Sequence, residues 1–210
     1  MYLDLGSGPF PRDGYEGVDL HPVDGVTWQC DLERFPWSFR AANMKAPNGE
    51  TIPWQTVMPT DFDGKFYNVP GGYPAGMKPR LPDDMVEGVH TSHLVEHIVD
   101  LVGFMAELWR VCKDGAEVHI FHPYQMNVRA WQDPTHVRCI NELSWFYFDA
   151  QWRGNRPEFG ATDFELVELD AIPEENWKEI ANEFPEEFER ACRNQVNVIS
   201  DLRVLLRCRK

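Results

Sequence analysis

The sequence predicts an α/β fold: a doubly wound, seven-stranded, mostly parallel sheet whose last strand runs antiparallel. Three observations carry that expectation. Short apolar runs closed by glycine or an acidic residue alternate with helical patterns along the chain, and such alternation places helices over a parallel sheet. The length of 210 residues provides one sizeable core and falls short of two, so residues 1–210 read as a single domain. Near the end, "DFELVELDAI" and "VNVISDLRVLLRCRK" flank an acidic helical stretch, which makes the last two strands an antiparallel edge.

The elements follow in order. "YLDLGSG" is an apolar run ending in a glycine turn, the form of a buried strand. "GYEGVDL" and "GVTWQCDL" are two more short strands, with Asp19 and Asp31 at their ends. Residues 38–82 then become rich in Pro and Gly and lose helical periodicity, although "PWQTVM" and "GKFYNV" could pair as a hairpin. A loop of that length is rare in a compact domain, so it reads as an insertion, expected to act as a lid. A fourth strand ends near Ser92. From Ile98 to Cys112 apolar residues recur at three- and four-residue steps, which marks a core-facing helix, and Gly115 is placed to end it. "AEVHIFHP" is a fifth strand, "NELSWFYFDAQW" a helix, and "PEENWKEIANEFPEEFERACRN" one or two acidic helices. There is no internal repeat.

Composition narrows the function. A net charge of −14 opposes binding to a polyanion, because that affinity comes from Lys and Arg that displace counterions; nucleic acid is not favoured as a partner. Eight Trp and 43% hydrophobic residues argue against disorder. No run approaches the roughly 20 apolar residues that cross a bilayer, and "MYLDLG" is not a secretion signal. The five cysteines are scattered without a C-x-x-C pair, which fits reduced thiols in a cytoplasm and gives no Cys-based zinc site.

A glycine turn after the first strand lets a ligand approach the backbone, and an acidic residue closing the second strand accepts hydrogen bonds from ribose hydroxyls. Pro9 and Pro11 stand where a helix would begin, so no helix N-terminus is available for a pyrophosphate. A cofactor with ribose and no diphosphate fits better, and S-adenosylmethionine is the obvious one.

The motifs then resemble a known group in their order. "LDLGSG", "DGYEGVDL", "CDLERFPW", "SHLVEHI", "LWRVCKDGAEVHIFHP" and "DPTHVRCINELSWFYF" are together similar to the Rossmann-like class I S-adenosylmethionine-dependent methyltransferases, in the type 11-like subgroup with a short first loop. The resemblance covers nearly the whole chain outside residues 38–82. It implies that Asp4, Gly6, Ser7 and Gly8 line the methionine end of the cofactor, that Asp19, with Leu20 beside it, takes the ribose, and that Asp31 and Leu32 meet the adenine. Ser92 and His93, after the fourth strand, complete the expected site. The acceptor is not legible. Its expected class is a small molecule, a saccharide or a protein, and the competing reading is a non-catalytic module that keeps the fold.

"HLVEH" also matches the H-x-x-E-H spacing of one class of zinc peptidases. That reading needs a long helix carrying both His93 and His97, whereas Ser92 and His93 are expected in the turn before the helix. No metal is therefore expected, and His97 is expected to cap or pack against the helix start. Methyl transfer needs a base only when the acceptor must lose a proton. The candidates are His93, Asp133 and His136, with His122 as a further one.

Overall fold

The computed structural model describes residues 1–21, 23–41, 77–78 and 80–210. The strands are β1 (Tyr2–Leu5), β2 (Glu16–Asp19), β3 (Val26–Gln29), β4 (Phe39–Ala41), β5 (Met77–Lys78), β6 (Val86–Ser92), β7 (Cys112–Pro123), β8 (Phe164–Pro173) and β9 (Ile199–Cys208). They form one sheet in the order β5-β4-β3-β2-β1-β6-β7-β9-β8. β3, β2, β1, β6 and β7 are mutually parallel, and β9 runs antiparallel to both β7 and β8. The seven expected strands are all present, with two short antiparallel strands, β4 and β5, added beyond β3. The expected hairpin and lid within residues 38–82 lie almost wholly outside the described residues.

Alternation along the central strands separates the two faces of the sheet. Leu3 and Leu5 of β1 pair with Val89 and Thr91 of β6. Those lie beside Val118 and Ile120 of β7, which pair in turn with Leu206 and Val204 of β9. All eight are buried. Helix α1 (Leu101–Val111) contributes Leu101, Phe104, Met105, Leu108 and Val111 to the same core. Asp100 caps the helix, accepting from Gly103 N at 2.8 Å, which satisfies one of its free N–H groups.

Gly115 does not end this helix. Asp84 N and Met85 N donate to the carbonyls of Arg110 and Val111, and Cys112 turns extended at ψ 142. With its last carbonyls taken by the chain entering β6, the helix stops at Val111. Gly115, at φ 78, instead allows the bulge by which Cys112 pairs with Val86 and Glu117 with Gly88.

The remaining helices are short: α2 (Arg129–Gln132), α3 (Glu142–Phe146), α4 (Ala150–Arg153), α5 (Lys178–Glu183) and α6 (Pro185–Asn194). The stretch expected as one helix in "NELSWFYFDAQW" is thus two, α3 and α4, while the acidic stretch divides into α5 and α6 at Pro185. No helix occupies the described residues of the connections β1–β2 or β2–β3. Among the described residues, no helix is long and apolar enough to cross a membrane.

Candidate functional site

The strand order reverses between β1 and β6, and open α/β sheets bind ligands beyond the carboxyl ends of strands at such a point. A cleft of about 220 Å³ opens there, lined by Gly6, Asp19, Leu20, Cys30, Asp31, Leu32, Glu33, Leu94, His97 and Ile98. Five residues of the expected cofactor set thus share one cleft: Gly6, Asp19, Leu20, Asp31 and Leu32. Gly6 is at φ 69, and a Cβ there would meet Leu94 Cδ1 at 3.0 Å. Backbone conformation and cleft space both favour glycine at this position.

Asp19 anchors the floor. Its Oδ2 accepts from Gly8 N at 3.0 Å and its Oδ1 from His21 N at 2.9 Å. This carboxylate therefore fixes the glycine turn while standing at the cleft. Asp31 Oδ1 accepts from Glu33 N at 3.1 Å, and its Oδ2 pairs with Arg34 Nε at 3.1 Å. Glu33 reaches across to accept from Val99 N, tying the β3 exit to the turn before α1. Burial pushes the Cys30 thiol up, which keeps it protonated in the wall of the cleft.

Asp4, Ser7, Gly8, Ser92 and His93 do not line this cleft. Asp4 is buried under the first loop, where Oδ2 accepts from Arg12 N at 2.7 Å and Oδ1 lies 2.9 Å from His90 Nδ1. It braces the loop from below. Ser7 and Gly8 form the turn held by Asp19, and Ser92 ends β6 beside Phe121 of β7.

His93 to His97 form a turn, and α1 starts only at Leu101. The two histidines therefore do not share the helix face that the peptidase spacing requires. His93 sits at φ 53, a conformation unusual for a side-chain-bearing residue. Its Nδ1 is 3.3 Å from Glu96 Oε1 and its Nε2 is 3.9 Å from Asp201 Oδ1. Both carboxylates are buried. Burial pushes the Glu96 carboxyl up, but His93, the local backbone N–H and nearby His122 together outweigh it and hold it below the ordinary range. Asp201 is held by Arg129 Nη1 at 2.9 Å.

Three further histidines surround this group. His97 and His136 meet edge to face with centroids 4.6 Å apart. His136 Nδ1 contacts Ala130 O at 3.1 Å, and its Nε2 is 4.0 Å from Glu96 Oε1. Asp133 stands one step back: Oδ1 accepts from Thr135 N at 2.8 Å and from Thr135 Oγ1 at 2.7 Å, and Thr135 Oγ1 contacts His97 Nδ1 at 3.0 Å. The Thr135 hydrogen bonds hold the Asp133 carboxyl below its ordinary range, which makes it a poor base and a good brace. His122 is fully buried between Pro123 O at 2.9 Å and Trp145 Nε1 at 3.1 Å. With both ring nitrogens used, it is part of the core.

The sequence reading singled out His93, Asp133 and His136 but gave no role to Asp201 or Arg129. One signal was present for Asp201, an acidic residue within the apolar run "VISDLRVLL". Nothing in the sequence pairs Arg129 with it across 72 positions.

No family model matches the sequence, and no curated protein matches it. Among solved structures, a S-adenosylmethionine-dependent methyltransferase from Archaeoglobus fulgidus aligns over 98% of this chain and 85% of its own, at 16% identity and a TM-score of 0.51. A second, from Mesorhizobium loti, aligns over 98% of this chain and 89% of its own at 12% identity and a TM-score of 0.48. At these identities the likeness is one of fold alone, and the chain folds like the Archaeoglobus fulgidus protein.

Proposed function

We propose that this chain binds S-adenosylmethionine in the cleft at the carboxyl edge of β1, β2 and β3 and transfers its methyl group to an acceptor. The observation that carries the reading is the meeting of Gly6, Asp19, Leu20, Asp31 and Leu32 on that cleft. The Asp19 carboxylate would accept from ribose hydroxyls, and Leu20 and Leu32 would offer apolar surface to the base. When bound, the cofactor supplies a methyl group on a sulfonium, open to in-line attack.

The chain's own residues then position and desolvate the reactants. His93 is proposed to meet the acceptor and to take a proton from it where one must be lost, with Glu96 and Asp201 orienting the ring. A net charge of −14 supports a small molecule, saccharide or protein acceptor over nucleic acid. The free thiols are consistent with a reducing cytoplasm.

Calorimetric titration with S-adenosylmethionine and its demethylated product tests the reading. The folded wild-type chain is expected to bind both. Asp19→Ala is expected to weaken binding by about 1.5–3 kcal/mol, a roughly 10- to 150-fold rise in Kd. Folded wild-type protein that binds neither nucleoside is no methyltransferase, while binding without turnover on any acceptor favours the non-catalytic module.

A further inference from the structure

We propose that Glu96, His97 and His136 hold a divalent transition-metal cation beside the cofactor cleft. The three side chains offer donor atoms that all lie within 4.8 Å of one another. They come from the turn after β6 and the loop after β7, so no local motif unites them. This donor set differs from that of the peptidase spacing, in which His93 and His97 would be the ligands and Glu96 the base.

Hydrogen bonding fixes both imidazoles in one tautomer. Ala130 O can only accept, so His136 Nδ1 carries the proton. The single hydrogen of Thr135 Oγ1 goes to Asp133 Oδ1, so His97 Nδ1 must be the donor in its contact with Thr135. Each ring in its neutral form therefore leaves a lone pair on Nε2. His136 Nε2 faces Glu96 Oε1 at 4.0 Å; the carboxylate is only 2% exposed, neither oxygen makes a well-formed hydrogen bond, and His93 Nδ1 stands 3.3 Å from Oε1 without the geometry of one. A ring lone pair aimed at a buried carboxylate whose oxygens are not saturated by N–H donors, with a second imidazole in the same cluster, is an arrangement that a cation would complete.

The outer contacts have the form that metal sites use. Metal-binding histidines donate their other N–H to a carbonyl or, directly or through a neighbour, to a carboxylate, which orients the ring. His136 does so to Ala130 O, and His97 does so through Thr135 to Asp133. Two imidazoles and one carboxylate suit zinc, cobalt, manganese or iron better than calcium or magnesium. Bonds of about 2.0–2.2 Å require donors roughly 3–4 Å apart, which small side-chain rotations provide.

Three protein ligands leave coordination positions open. His97 also lines the cofactor cleft, so the cation would sit at the wall of that cleft. Resting on the methyltransferase reading, an acceptor that reaches this wall with a hydroxyl or carboxylate would fill an open position on the cation.

Tag-free full-length protein, stripped with chelator and checked for folding by circular dichroism, is titrated with Co²⁺ followed optically and with Zn²⁺ by calorimetry. One equivalent of Co²⁺ with visible absorption, displaced by Zn²⁺, is expected. His97→Ala and His136→Ala should each weaken Zn²⁺ binding by more than about 100-fold, since even outer contacts are worth 10–100-fold. Glu96→Gln, which keeps the shape of the side chain, should weaken it at least about 10-fold, and His119→Ala, within β7 and outside the cluster, should not change it. Folded wild-type protein that takes up neither ion saturably, or metal binding that survives both histidine substitutions, overturns the proposal. Titrating the demethylated cofactor into the same samples separates the two claims: nucleoside binding without metal binding removes only this site, and metal binding without nucleoside binding removes only the methyltransferase.

Discussion

At the scale of residues, burial assigns histidines of one neighbourhood to different tasks. His93, His97 and His136 keep a face toward the cleft or its carboxylates, while His122 is enclosed. Burial lowers the His122 pKa below its ordinary 6.5, so the folded protein holds it neutral and the unfolded chain binds the proton first as pH falls. Its contribution to stability is therefore present above about pH 6.5 and is lost progressively below it, by at most about 1.4 kcal/mol per pH unit. Glu96 acts in a separate window: its folded pKa lies below 4.5, so its contribution disappears only as pH falls past that value. Denaturant unfolding at pH 7, 6 and 5 should show wild-type stability falling, with a shallower fall in His122→Gln. Equal slopes in the two proteins would mean that His122 is protonated in the fold. None of this was legible from "HIFHP", because the partner Trp145 lies 23 positions away.

At the scale of elements, the short first loop replaces a helix. It lies directly on the sheet: a Cβ at Gly17 would meet Ser7 Oγ at 2.7 Å and Pro11 Cβ at 3.0 Å. Glycine in "GYEGVDL" thus serves the seating of the first loop on β2. Gly17→Ala is expected to displace that loop, costing about 1–3 kcal/mol of stability as overpacking does, and to weaken binding of the demethylated cofactor. Asp100→Ala supplies the contrast. It removes the cap of α1 away from the cleft, so it should cost about 1 kcal/mol and leave nucleoside affinity unchanged. Thermal unfolding and calorimetry on the two variants check the pair, and equal nucleoside affinities would deny the loop its role. Local pattern was sufficient to read β1, β2, β3 and Asp19, since each is a short apolar run with its terminator. It misplaced the end of α1 because the stopping contacts come from Asp84 and Met85, which precede the helix in sequence and meet its last turn only in the fold.

At the scale of the whole molecule, the parallel strands bring four separated segments to one edge of the sheet. The glycine turn after β1, the acidic ends of β2 and β3, and the turn after β6 converge there because β1 and β6 are neighbours at the point where strand order reverses. The seven strands, their mostly parallel run and the antiparallel last strand were readable as ordered motifs. The polar group of Glu96, His136, Asp201 and Arg129 was not, since it is assembled from the β6 turn, the loop after β7 and the start of β9. The central claim is that this edge seats a nucleoside cofactor. A crystal structure of the full chain grown with the demethylated cofactor tests it most directly. Ribose hydroxyls within hydrogen-bonding distance of the Asp19 carboxylate and an adenine beside Asp31 and Leu32 are expected; nucleoside density elsewhere on the molecule, with the Asp19 cleft empty, would contradict it.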